Sequence, residues 1–95
     1  MSDVVIRPNP DEQRYEAYVD GALAGFAAYR ISRGHLVLTH TEVDEAYEGR
    51  GVGGALARGA LDDIRARGEH DVVALCPFMS AWIADHPDYQ DLVAP

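Results

Sequence analysis

The stretch from Val43 to Leu56 narrows the folds open to this chain more than any other. A β-branched run ends there, and a helix begins among four glycines at positions 49, 51, 53 and 54. Glycine has no Cβ, so a ligand can approach the backbone closely while the first N–H groups of the helix point outward. The helix dipole adds partial positive charge at the same place, which suits phosphate oxygens. This matters in a chain whose formal net charge of −8 otherwise repels anions. Glycine-rich helix starts also arise from tight packing, so the loop taken alone leaves both readings open.

The elements around the loop follow from periodicity. Val4 to Arg7 reads as a strand stopped by Pro8-Asn9-Pro10. Arg14 to Val19 alternates, and Asp20-Gly21 supplies the residues of a type I′ hairpin turn. Ala22 to Ile31 forms the return strand, with Ala22, Ala24, Gly25, Ala27 and Ala28 marking close packing. Ser32-Arg33-Gly34 turns the chain into a central strand, His35 to Val43. From Gly51 to Arg67 the positions Val52, Leu56, Ala60 and Ile64, widened by Ala57 and Leu61, line one helical face; Arg58, Asp62 and Arg65 line the other. Asp63 and Arg67 are spaced to pair, and Gly68 is the C-terminal stop. Asp71 to Leu75 reads as a buried strand, parallel to the central one because a helix connects them. Pro77 ends it, and Ser80 to Asp85 reads as a short helix halted by Pro87. Residues 1–95 make one domain of α/β (α+β) class, a mostly antiparallel mixed sheet with one main helix and a short C-terminal helix.

Three segments complete a resemblance. His40-Thr41-Glu42-Val43 precedes the glycine loop, Cys76-Pro77 follows the last strand, and His86-Pro87-Asp88-Tyr89 comes after Trp82. In this order they resemble a small, single-helix-core branch of the GCN5-related N-acetyltransferase superfamily over about residues 4 to 93. The resemblance implies acetyl-coenzyme A as cofactor, with its pyrophosphate on Arg50, Gly51, Val52, Gly53, Gly54 and Ala55. It also implies a pantetheine arm along the backbone of Thr41 to Val43, bordered by Cys76, Pro77, Phe78 and Trp82. Two positions depart from the superfamily. Glu48 stands where Gln or Arg is usual, and Trp82 and Ile83 stand where a tyrosine commonly protonates the departing thiolate. Helices that relatives insert between the first two strands are replaced by Pro8 to Gln13, which implies an open acceptor groove or one completed by another subunit.

Two candidate mechanisms follow. His40 and Glu42 share one face of their strand, so the imidazole can take the proton of an attacking amine with the carboxylate assisting. The structural alternative is a hydrogen-bonded strand histidine beside a solvated glutamate. Cys76 is either an acyl-enzyme nucleophile with His40 as base or a small wall residue beside direct amine attack. The acceptor is expected to be a small-molecule or peptide amine, and the protein a monomer or homodimer. A coenzyme A-binding module with little or no transferase activity is the alternative, favoured by Glu48 and the absent tyrosine. A domain that has lost its ligand is a third, opposed by the cost of the loop glycines to the helix, up to about 1 kcal/mol each.

Composition bounds the partners. All eight basic residues are Arg, so no lysine is available as a Schiff base, and sixteen acidic residues leave no basic run for nucleic acid or an anionic membrane. An acidic surface favours cationic acceptors. The single cysteine excludes an internal disulfide, and the Cys and His spacings match no metal pattern. No signal, membrane-spanning or lipidation segment is recognisable, and a cytoplasmic location is expected on that ground.

Overall fold

A computed structural model describes residues 3–95. Five strands form one sheet in the order β1 (Val4–Asn9), β2 (Arg14–Val19), β3 (Ala22–Ser32), β4 (His35–Val43), β5 (Asp71–Ala74). The first four pair antiparallel as a meander, and β5 joins β4 in parallel after the crossover helix α1 (Val52–Arg67). A second helix, α2 (Pro77–Ala84), and a 3-10 segment, Pro87–Leu92, complete the chain. Among the described residues no helix is long and apolar enough to cross a membrane.

The expected mixed sheet and main helix are present, and several boundaries move for identifiable reasons. β1 runs through Pro8 to Asn9, paired with Tyr15 and Arg14, because β1 is an edge strand where the missing proline N–H costs no ladder bond. β3 extends to Ser32, since Arg33 and Gly34 both have positive φ and turn the chain by themselves. β5 ends at Ala74, one residue early, and Leu75 is 59% exposed. α2 starts at Pro77, not Ser80, because proline fits the first helical position as readily as it ends a strand. Asp20 and Gly21 make the expected hairpin turn, both at positive φ.

All helices lie on one face of the sheet. Val52, Leu56, Ala57, Ala60, Leu61 and Ile64 of α1 pack on Tyr15, Ala17, Ala24, Ala27, Leu36 and Leu38, and α2 adds Met79 and Ile83. Burying Leu38, Leu56 and Leu61 fully contributes about 1.5–3 kcal/mol each relative to exposure. Helix and sheet meet closely at Gly59, where a Cβ would lie 2.7 Å from Ile6 Cγ1. The polar side of α1 is docked by the C-terminal segment. Arg65 binds Asp91 (2.8 Å) and the Asp88 carbonyl (2.7 Å), and the Ala94 N–H donates to the Val72 carbonyl (2.8 Å) along the β5 edge.

The opposite face of the sheet carries Arg14, Glu16, Tyr18, Phe26, His40 and Glu42. Glu16 is only 7% exposed and accepts from Arg14 Nε (2.7 Å), the Tyr18 hydroxyl (2.8 Å) and Asn9 Nδ2 (3.2 Å). Burial alone would raise its pKa, but the bonds from Tyr18, Arg14 and Asn9 outweigh it and hold the carboxyl below its usual range. Its stabilising contribution is therefore complete above the unfolded carboxylate pKa and is lost as pH falls through the lower folded value. We expect Glu16→Ala to destabilise the fold by about 1–3 kcal/mol at pH 7. Urea titrations of both proteins from pH 7 downward should show this difference shrinking in acid.

Candidate active site

The sheet opens where β5 leaves β4. Their parallel pairing stops at Leu38 and Ala74, and the Leu38 carbonyl accepts both the Leu75 N–H and the Cys76 N–H, each at 3.0 Å. β4 continues to Val43 paired with β3 alone, so its other edge from Thr39 onward borders a cleft. At the same point the β3–β4 register slips, Tyr29 opposing Leu38 and Ala28 opposing His40. Thr39 is the extra residue of this bulge, and its hydroxyl donates to the Ala28 carbonyl (3.3 Å). Leu36 and Leu38 face the core before the bulge, whereas Val43 packs against it afterwards. The slip thus turns Thr41 toward the helices and His40 and Glu42 toward the open face.

Cys76 lies across the cleft from Thr41, its Sγ 3.4 Å from Thr41 Oγ1, and is buried as the N-cap of α2. His40 Nε2 lies 3.3 Å from Glu42 Oε1, with both side chains more than half exposed, and the Phe26 ring stands edge-on to the imidazole at 6.1 Å. Thr41 and His40 project from opposite faces of β4. The structure therefore joins Cys76 to Thr41 and His40 to Glu42, and does not assemble Cys76 and His40 as a nucleophile and base.

The glycine loop starts α1 beside this cleft. Asp44 caps a 3-10 turn, Glu45–Tyr47, by accepting the Ala46 N–H (2.9 Å), and Gly49 and Gly51 follow at φ 77° and 79°. Gly51 caps α1 in the left-handed conformation without a side-chain bond, so the N–H groups at the helix start have no intrahelical acceptor. The Ala55 N–H is already bonded to the Gly51 carbonyl (3.0 Å), which confines the outward donors to residues before it. Val52 directs its side chain into the core and offers only backbone. Glu48 is exposed, and Arg50 lies over the Tyr47 ring at 5.4 Å.

α2 forms the second wall. A Cβ on Gly53 would lie 2.9 Å from Phe78 Cζ, and one on Gly54 3.8 Å from Trp82 Nε1. Phe78 is 42% exposed and walls the loop, whereas Met79 beside it is buried in the core. Pro77 opens the helix, and Trp82 stacks on His86 with ring centroids 3.6 Å apart. Ile83 is buried in the core. The His86 to Tyr89 segment anchors the C-terminal region, with Tyr89 buried and its hydroxyl donating to Asp62 of α1. His35 pairs with Asp71 at the far end of β4. That end holds a separate cavity of about 220 Å³, lined in part by Tyr15, Tyr29, Arg67 and His70.

Open donors at a helix start, glycines that clear the approach and a cleft between parting strands fit an extended ligand carrying a diphosphate. A sequence profile described as GCN5-related N-acetyl-transferase matches residues 14–92. The chain belongs to the GCN5-related N-acetyltransferase family. The crystal structure of ribosomal-protein-alanine N-acetyltransferase from Brucella melitensis biovar Abortus 2308 matches with a TM-score of 0.57 at 23% identity, over 86% of this chain and 61% of that one. That likeness shows the family fold, and the chain spans about three-fifths of the matched protein's length. No curated protein matches the sequence significantly.

The bulge residue Thr39, the double-accepting Leu38 carbonyl and the Thr41 hydroxyl were not singled out by sequence. A bulge leaves no composition signal in an apolar strand, so only the register reveals them. Gly53 is open to a direct test. Alanine there gains up to about 1 kcal/mol of helix propensity but pushes Phe78 aside. We expect Gly53→Ala to melt within a few degrees of the parent, as read by thermal unfolding.

Proposed function

We propose that this chain is an acetyl-coenzyme A-dependent N-acetyltransferase for a small-molecule or peptide amine. The observation that carries this reading is the opening of β4 from β5 at Leu38 beside an uncapped glycine helix start. The N–H groups of Gly51 to Gly54 would hold the diphosphate. The backbone of Thr41 to Val43, Cys76, Pro77, Phe78 and Trp82 would border the pantetheine arm. When bound, the cofactor supplies an acetyl thioester.

His40, on the open face beside the cleft, takes the proton of the attacking amine, and Glu42 at 3.3 Å stabilises the imidazolium. Transfer would exchange the thioester C–S bond for the amide C–N bond. Trp82 and Ile83, which the family resemblance sets where a tyrosine is common, would offer the leaving thiolate no phenolic proton, which leaves solvent as its proton source. Cys76, hydrogen-bonded to Thr41 and separated by the strand from His40, is a wall of this site, which supports direct transfer over an acyl-enzyme. The open sheet face suits an acceptor that approaches from solvent, and the net charge of −8 favours a cationic one.

Calorimetric titration with acetyl-coenzyme A, coenzyme A and ADP tests the cofactor site, and saturable binding that depends on the pantetheine arm is expected. In an amine screen His40→Ala should lower kcat by about 10²-fold or more with cofactor affinity retained. Cys76→Ala should keep turnover within a few-fold. An acetylated Cys76 found by mass spectrometry would replace direct transfer with the covalent route. Binding without turnover of any amine would leave a coenzyme A-binding module.

A further inference from the structure

Arg58 is the cation nearest the glycine loop on the outer side of α1. It sits one turn after Gly54 on the same helix face, about 6 Å further along the axis at 1.5 Å per residue. Its guanidinium lies 5.4 Å from the Trp82 ring centre and 5.6 Å from that of Tyr89, and Nη1 donates to the Tyr89 hydroxyl at 3.1 Å. Trp82 is itself fixed by the stack on His86, whose Nδ1 is 2.6 Å from the Trp82 carbonyl. Tyr89 is buried. The cation is thus held in place by two rings and one hydroxyl.

Its pairing differs from that of the other two arginines on α1. Arg65 and Arg67 each hold a carboxylate, but among the described residues no carboxylate comes within ion-pair reach of Arg58. The nearby Asp62 lies a turn further from the loop and accepts from the Tyr89 hydroxyl at 2.7 Å, so its charge is directed at the phenol. A guanidinium has five donors, and one of Arg58's is engaged, which leaves a planar fork pre-set for an oxyanion.

We propose that Arg58 binds the ribose 3′-phosphate of coenzyme A and makes the site discriminate against the 3′-dephospho cofactor. The inference rests on the cofactor reading above. With the diphosphate on the loop, the 3′-phosphate stands one ribose away, which matches one helical turn. The phosphate accepts two charge-assisted bonds from the fork, while the Trp82 and Tyr89 rings keep the cation from collapsing onto Asp62.

Calorimetry on the full chain with coenzyme A and 3′-dephospho-coenzyme A tests this. The parent should favour coenzyme A by about tenfold or more. Arg58→Gln should bind both ligands at the dephospho level, removing the preference without weakening the dephospho form. Arg58→Lys, which keeps the charge and the stem but not the fork, should retain only part of the preference and serves if the Gln variant does not fold. Equal affinity of the parent for both ligands overturns the proposal while leaving the cofactor site intact. Equal weakening of both ligands in either variant, or an unchanged ratio in Arg58→Lys, also overturns it and assigns Arg58 to clasping the C-terminal segment. Failure of the parent to bind either ligand removes the cofactor reading itself.

Discussion

The double hydrogen bond at the Leu38 carbonyl governs the rest of the site. A carbonyl has two acceptor positions, and here both are filled by consecutive N–H groups, Leu75 and Cys76, of a strand that is leaving the sheet. Parallel pairing cannot continue past such a point, so β4 is left with one bare edge. The departing chain enters α2 immediately, since Pro77 is already at the first helical position. One junction therefore creates the cleft and supplies its second wall. The neighbouring bulge at Thr39 then decides which side chains line the cleft and which face solvent.

Much of this was legible in the residues. Apolar spacing gave α1 its buried face, and Asp20-Gly21 gave the hairpin, because both signals act within a few residues. The glycine loop was legible for the same reason. Less accessible was anything set by pairing between distant segments. Pro8 was read as a stop, but its tolerance depends on β1 lying at an edge, which is a property of the whole sheet. Pro77 was read as a strand end when it is equally a helix start, and local sequence does not choose between these roles.

The candidate chemistry divides along the same line. His40 and Glu42 are two residues apart, so their proximity followed from strand periodicity. The relation of Cys76 to His40 did not, because it depends on which faces of β4 the two present to the cleft. The bulge settles that geometry by turning Thr41 inward to meet the thiol. Arg58 was placed on the outer face of α1 by spacing, and its surroundings come from a C-terminal segment about thirty residues away in sequence.

That C-terminal segment also bears on the order of assembly. The bond from Ala94 to Val72 and the bridge of Val93 to the same strand lie beyond every element that lines the cleft. The β1–β4 meander consists of contacts between sequence neighbours and can form early, whereas the β5 edge is covered by Val93 and Ala94, which come after both helices in sequence. The meander thus stands complete before the free edge of β5 is covered, and the edge beside the parting of β4 and β5 is fastened by two backbone contacts from a segment that follows both helices.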